Sequence, residues 1–542
     1  MAMLLSWARL CPAFVAAAMI IAPSAAGAQS AAPQASPSTL LVHGDRPGPV
    51  IAPEIYGQFV EHLGRGVYEG IWVGDDRSIP NTRGVRNDVV RVLREAKIPA
   101  IRWPGGCFAD NYHWRDGIGP RAKRQQGINA SWGNVPDRNA FGTHEFMDFM
   151  DQIGAAPFVS VNMGSGSVRE ADEWMRYMTA AAESAAGAER AANGHRAPWA
   201  VPFVGVGNES WGCGGNMTAE TYVANFRQYA AIVRSFSSPR AKLIAVGADT
   251  DDYDWTDKLM AGAMTWRPNP TPLALVDPNP LMWGLSLHFY TFTGNDWHAK
   301  GRNVGFSQGD WAKAVARANL TEDIVTRHAA IMDRYDPEKK VALVVDEWGA
   351  WFDSEKDAPS QLYLESTTRD AVIAGLSLNI FNRHADRVRM ANLAQMANVI
   401  QSLVLTRGKE MVVTPTWHVF DLYKVHQGAT QVPVDVSTPD YVEGTIKVPT
   451  LSVSASRDAA GVMHMSIVNL DPTRAAPVDA VLTGVSGNAA TARTVTGDQI
   501  DTRVRFGEPD PFVPRALSGI SLNGDRLTLT VPPRSVTMVT LR

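Results

Sequence analysis

The chain has 542 residues, of which 45% are hydrophobic and 20% charged, with a formal net charge of −4. This apolar content supplies a sizeable core and excludes global disorder, and the length suits a large domain joined to a smaller one. There is no basic excess to hold nucleic acid or anionic lipid by bulk electrostatics.

Residues 1–28 read as a signal peptide. Arg9 gives a thin positive region, residues 10–23 are largely apolar, and Ala26-Gly27-Ala28 fits the small-x-small cleavage rule. The run is short for a membrane span and is broken by Pro12 and Pro23. The expectation is therefore a secreted protein, periplasmic or extracellular, with no membrane attachment after cleavage. Residues 29–39 look like a flexible leader, and residues 40–53 like an N-terminal strand that joins a later β-sandwich. Cys11 leaves with the signal peptide, so Cys107 and Cys213 remain, and two such cysteines can pair or stay free.

From residue 54 to 410 short apolar runs alternate with helical patterns. The runs are 55–59, 100–103, 157–162, 203–207, 243–247, 283–290, 341–346 and 387–393, each with the length and composition of a buried parallel strand. Amphipathic segments lie between them at 88–97, 145–153, 170–183, 219–236, 257–265, 313–334 and 366–382, with Asn87 and Thr218 placed as N-caps. Eight strands with interleaved helices predict an α/β fold, a (β/α)8 TIM barrel. A doubly wound sheet is the rival, but no Gly-x-Gly-x-x-Gly turn follows the first run. The Ala-rich stretch 179–193 reads as a helix end plus a surface loop. Beyond 410 helical periodicity stops, and short alternating runs separated by Gly, Asp and Pro turns predict a C-terminal β-sandwich over 411–542.

Barrel chemistry sits at the C-terminal ends of the strands. The fourth run ends in Asn208-Glu209 and the seventh in Asp346-Glu347. A carboxylate directly after a buried strand is costly unless it faces a solvated site. Two of them on one barrel face are what glycoside hydrolysis needs, one to protonate the leaving oxygen and one to attack or to activate water. The competing reading, a structural salt bridge at each Glu, must hold twice. There is no C-x-x-C, no H-E-x-x-H and no clustered metal-ligand spacing, so no metal or organic cofactor is expected.

The segment Ile55-Tyr56-Gly57-Gln58-Phe59-Val60-Glu61-His62-Leu63-Gly64-Arg65 resembles the opening of glycoside hydrolase family 51. Ile101-Arg102-Trp103-Pro104-Gly105-Gly106, Gly207-Asn208-Glu209, Asp346-Glu347-Trp348, the stretch His384 to Val388, and Leu393-Ala394-Gln395 continue the likeness in order from about residue 50 to 430. The resemblance implies a retaining, exo-acting α-L-arabinofuranosidase that acts on arabinan- or arabinoxylan-type polysaccharides or oligosaccharides, with a jelly-roll-like second domain. It implies Glu209 as acid/base and Glu347 as nucleophile. Asn208 would bond the sugar 2-OH, and Glu61 other furanose hydroxyls. His288 and Tyr290 would flank the two carboxylates, Trp351 would bind the substrate unless it is rim packing, and Gln395 would close the pocket. Many members have Asn where this chain has Cys107. That cysteine either lines the pocket or pairs with Cys213 in the Gly-rich loop after the fourth strand. Relatives of this kind often form homo-oligomers. Three alternatives stay open: an endo-β-1,4-glucanase of the same family, a non-catalytic arabinan-binding protein, and an adhesive surface protein.

Overall fold

The computed structural model describes residues 37–233, 235–264, 282–294, 296–485, 487 and 489–542. The expected signal peptide and most of the expected leader lie outside the described residues. The first strand, Ser38–His43, begins inside the stretch expected to be leader, because Leu40 and Val42 are buried in the sandwich core.

Eight parallel strands close a barrel: Gly57–Phe59, Ala100–Trp103, Ala156–Val161, Phe203–Val206, Lys242–Asp249, Gly284–Thr291, Ala342–Ala350 and Val388–Ala394. Neighbours in the barrel are neighbours in sequence, and the last strand pairs with the first through Asn392 and Gly57. Phe158, Phe203, Ile244, Val344 and Met390, all near the starts of their strands, form one apolar cluster. That layer fills the barrel at one end and leaves the other for polar side chains.

The first strand is shorter than expected, since Pro53–Tyr56 forms a 3-10 turn before it. The seventh runs on past Asp346 to Ala350, so Glu347 sits within a strand rather than after one. Residues 185–192, expected as loop, form a helix capped by the Ser184 hydroxyl, which accepts from the Gly187 N–H. Thr218 caps its helix as expected by accepting from Thr221 N, whereas Asn87 lies inside the helix Asn87–Glu95, with Arg86 at the cap. Two of the expected helices end at residues 232 and 264, and Arg234 and Thr265 lie outside the described residues. The helix Gln308–Tyr335 opens with a capping box: Ser307 Oγ accepts from Asp310 N while the Asp310 carboxylate accepts from Ser307 N.

Helical structure does not stop at 410. Pro415–Tyr423 is a helix with Pro at its first position and Thr414 Oγ1 accepting from Trp417 N. The sandwich follows. One sheet orders Val434–Ser437, Ser38–His43, Ala476–Thr483, Arg526–Val531 and Ser521–Asn523. The other orders Thr430–Val432, Leu451–Arg457, Met463–Asn469, Ser535–Leu541, Ala490–Thr496 and Arg515–Ala516. The N-terminal strand pairs parallel to Ala476–Thr483 and antiparallel to Val434–Ser437, so both ends of the chain build the same sandwich.

The helix Thr368–Arg383 locks barrel to sandwich and is buried along almost its whole length. Asn379 spends its amide on that contact. Its Nδ2 donates to Ser452 O at 2.9 Å, and its Oδ1 accepts from Tyr423, Ser454 and Ser466 at 2.9, 2.9 and 2.7 Å. A Cβ at Gly375 would approach Val468 and Val536 to 2.9 and 3.0 Å, so the close helix–sheet approach requires glycine there.

Candidate active site

At the C-terminal ends of the strands lies a cavity of about 190 Å³. Glu61, Cys107, Glu209, His288, Tyr290, Glu347, Trp351 and Gln395 all line it. The remaining sequence candidate, Asn208, is fully buried beside it and does not line the cavity.

Glu347 is held from both sides. Arg102 Nη1 donates to its Oε1 at 2.8 Å and the Tyr290 hydroxyl donates to its Oε2 at 2.8 Å. Arg102 is buried and its Nη2 donates to Asn208 Oδ1 at 2.5 Å, with Asp346 Oδ2 3.4 Å from its Nε. One guanidinium therefore ties the second, fourth and seventh strands together at the pocket floor. Gly106 allows this, since a Cβ there would stand 3.0 Å from Glu347 Oε1.

Glu209 follows the fourth strand with φ of +38°, in the left-handed region that L-residues rarely adopt. The turn is braced from behind by Asp110, which accepts from Met163 N, Gly164 N and Asn208 N at 2.8, 2.9 and 3.0 Å. Burial pushes the Asp110 carboxyl up to about 7, against the pull of those three N–H donors. Glu209 Oε1 is 2.9 Å from His288 Nδ1, and a Glu209 oxygen and a Glu347 oxygen lie within 4.8 Å of one another. Burial raises the Glu209 pKa, the His288 contact opposes the rise, and the charge on Glu347 adds to it.

His288 stands among three carboxylates: Glu209, Glu347 Oε2 at 3.7 Å from Nδ1, and Asp346 Oδ1 at 3.2 Å from Nε2. Burial works against its protonation, but Glu347 and Asp346 outweigh it and raise the His288 pKa well above the ordinary value. It lies inside the strand Gly284–Thr291, not at its end.

Glu61 forms the opposite wall. Its Oε1 accepts from Phe108 N at 2.9 Å and its Oε2 from Gln395 Nε2 at 3.2 Å, while Gln395 Oε1 accepts from Glu61 N at 3.0 Å. Burial lifts this carboxyl to about 7. Cys107 and Cys213 form a disulfide, and both sulfurs border Glu209 Oε2, at 3.8 and 3.4 Å. A disulfide has no S–H, so any proton in these contacts belongs to the carboxyl.

The rim is aromatic. Trp351 meets Tyr290 edge to face at 5.0 Å and Trp297 at 5.4 Å, and Lys300 Nζ sits over the Trp351 ring at 4.8 Å. Trp132, Trp211, Trp297 and Asp249 line the cavity without having been singled out from sequence. Arg102 and Asp346, which the motifs contain without a stated role, also belong to the site. An arginine inside an apolar four-residue strand was the available signal for the first, because a buried guanidinium needs a carboxylate.

An eight-stranded barrel with two carboxylates converging over its strand ends defines a barrel glycoside hydrolase. Residues 346–535 match the family model described as alpha-L-arabinofuranosidase C-terminal domain, and residues 92–271 the one described as alpha-L-arabinofuranosidase 1 domain. The chain is 40% identical over 508 residues, 93% of its length and 96% of the relative's, to an intracellular exo-alpha-L-arabinofuranosidase of Bacteroides ovatus. The crystal structure of a GH51 arabinofuranosidase from Xanthomonas axonopodis pv. citri superposes with a TM-score of 0.89 at 42% identity, covering 93% of this chain and 100% of that one. The chain belongs to glycoside hydrolase family 51, the α-L-arabinofuranosidases, and is an enzyme of that family.

The relatives overturn the expectation of secretion. The Bacteroides ovatus protein is named intracellular, and so is an exo-alpha-(1->5)-L-arabinofuranosidase of Streptomyces lividans, 29% identical over 90% of this chain and 72% of its own. The reading of residues 1–28 rested on an apolar run and the small-x-small pattern Ala26-Gly27-Ala28, with Arg9 the one positive charge before the run.

Proposed function

We propose that the enzyme removes terminal α-L-arabinofuranosyl groups from arabinose-containing polysaccharides or oligosaccharides by double displacement, with Glu347 as nucleophile and Glu209 as acid/base. The observation that carries this reading is the approach of Glu209 and Glu347 to within 4.8 Å, oxygen to oxygen. Retaining enzymes hold their carboxyl groups about 5–5.5 Å apart, whereas inverting enzymes leave about 6.5–9.5 Å for a water. In the first step a Glu347 oxygen attacks the anomeric carbon as Glu209 protonates the leaving oxygen. In the second, Glu209 takes a proton from water, which opens the ester with overall retention.

The charge balance around the site favours a protonated Glu209. Arg102 and a protonated His288 supply two positive charges, and Asp346 and Glu347 supply two negative ones. A third carboxylate charge there has no partner of its own. With Oε1 accepting from His288 Nδ1, the proton falls to Oε2. When the ester forms and the Glu347 charge vanishes, the influence that held Glu209 protonated weakens, as the base step requires.

Asn208, its Oδ1 taken by Arg102 and its Nδ2 3.8 Å from Cys213 Sγ, stands buried beside Glu209 and is the proposed donor to the sugar 2-OH. Glu61 and Gln395 bind further hydroxyls. Trp351 forms the rim, and Cys107 contributes wall through its disulfide rather than as a hydrogen-bonding thiol. The cavity is below the roughly 300–1,000 Å³ of drug-sized sites, which supports capture of one terminal sugar over an endo-acting cleft.

The test is release of nitrophenol from aryl α-L-arabinofuranoside, with carboxymethylcellulose in parallel and Glu347→Ala as control. Activity on the arabinoside alone, lost in the variant, supports the proposal. Cellulose cleavage without arabinoside activity would replace it with the endoglucanase reading.

A further inference from the structure

The disulfide beside Glu209 has a consequence for metal ions. Cys107 Sγ and Cys213 Sγ lie 3.8 and 3.4 Å from the same oxygen, Glu209 Oε2. The three ligating atoms fall within 4.8 Å of one another. A tetrahedral zinc ion with bonds of about 2.3 Å to sulfur and about 2.0–2.2 Å to a carboxylate oxygen separates those ligands by about 3.5 Å. The oxygen–sulfur spacings already match that value. The two sulfurs, held together while bonded, need only relax apart once the bond between them is broken.

We propose that reduction of Cys107–Cys213 creates a binding site for a thiophilic divalent cation, formed by the two thiolates and the Glu209 carboxylate with water in the fourth position. Cys213 is exposed, so small reductants reach the bond from solvent. Two relatives are named intracellular, and inside a cell such pairs are kept as thiols.

Reduction by a water-soluble phosphine balances as follows. Phosphorus attacks one sulfur and the S–S bond breaks. Water then converts the phosphonium to phosphine oxide, and both sulfurs leave as thiols. Cation binding releases the two thiol protons and the Glu209 carboxyl proton to solvent and fixes Glu209 as carboxylate.

The neighbouring group of Glu209, His288 and Glu347 also meets the distance condition, but Arg102 stands 2.8 Å from Glu347 Oε1 and repels a cation. On the cysteine side Oε2 faces the two sulfurs, and Cys213 opens to water. The disulfide therefore acts as a guard: oxidised, it denies the acid/base wall to soft metals, and reduced, it offers them a chelate.

The experiment uses the full chain, oxidised or phosphine-reduced and desalted without oxygen, titrated with cobalt(II) as the spectroscopic probe and then with zinc. The expected result is a thiolate-to-cobalt charge-transfer band that saturates at one equivalent in the reduced enzyme, and is absent from the oxidised enzyme and from reduced Cys213→Ala. Zinc should then inhibit the reduced enzyme at concentrations at least tenfold below those that inhibit the oxidised form, with recovery on adding EDTA. A reduced enzyme without the band, or one whose band survives in Cys213→Ala, overturns the site. Should the variant not fold, the oxidised and reduced wild type decide the matter alone. The inhibition rests on Glu209 being the acid/base, whereas the band does not. A band with undiminished activity would therefore support the metal site and count against the role given to Glu209.

Discussion

His288 Nδ1 lies 2.9 Å from Glu209 Oε1, and the same nitrogen is 3.7 Å from Glu347 Oε2. One imidazole thus stands between the two carboxyls proposed to share the chemistry. Its Nε2 is 3.2 Å from Asp346, the residue before Glu347. Against burial, Arg102 and the ring hold the Asp346 carboxyl below its ordinary value, while burial and the charge on Glu347 raise that of Glu209.

Removing His288 should shift the pH profile upward on its basic side. The ring's positive charge and its hydrogen bond both lower the Glu209 pKa, so their loss raises it. Glu209 then stays protonated to higher pH. For His288→Gln the basic limb of kcat/KM should move to higher pH while the maximum falls. A limb that stays in place would mean that another group sets it.

Glu209→Ala should divide substrates by leaving group. Aryl arabinosides with acidic phenols need little protonation, so their glycosylation step should lose much less than that of unactivated arabino-oligosaccharides. The difference should be of the size of a general-acid contribution, about 10²–10⁴-fold. Pre-steady-state release of two phenols of different acidity measures it.

Arg102→Met should damage both stability and catalysis. The guanidinium is buried and faces Asp346 and Glu347, so the apolar side chain leaves two carboxylates uncompensated. Breaking one partner out of a buried pair costs about 3–5 kcal/mol. Denaturant melts should show that loss at neutral pH. Arg102→Lys should recover only part of it, since an ammonium cannot reach both Glu347 and Asn208 in the geometry of the fork.

Glu61 makes stability depend on pH. Its folded pKa, raised by burial to about 7, exceeds the unfolded value near 4.5. The stabilisation from taking up its proton is complete below about 4.5 and is lost as pH rises through 7. The whole shift corresponds to roughly 3 kcal/mol. Relative to Glu61→Gln, the wild type should therefore lose stability between pH 5 and pH 8. Equal slopes for the two proteins in urea titrations across that window would contradict the raised pKa.

The barrel was legible because its strands are buried on both faces, so each is a short apolar run bounded by a helix pattern. The carboxylates were legible because a charge at the end of such a run stands out. What escaped the sequence depends on contacts between distant segments. Arg102 stands in the sequence only as one residue of a motif, and the closed barrel brings it to Glu347 across 245 residues. Cys107 and Cys213 are 106 residues apart, and spacing alone could not decide between pairing and a free thiol. Asp249 falls two residues beyond the expected end of the fifth run and lines the cavity. The helix Pro415–Tyr423 was lost in the change of texture after 410, although Thr414 followed by Pro415 is a start signal. The chain's first residues showed the opposite fault, where a compositional pattern suggested export and the relatives did not follow.

The most direct test of the account is to trap the intermediate with an activated 2-fluoro arabinofuranoside and locate the label by peptide mass spectrometry. The account predicts one sugar attached to the peptide containing Glu347, forming in wild type and absent from Glu347→Ala. A label on any other residue, or turnover with an inverted product and no label, would contradict it.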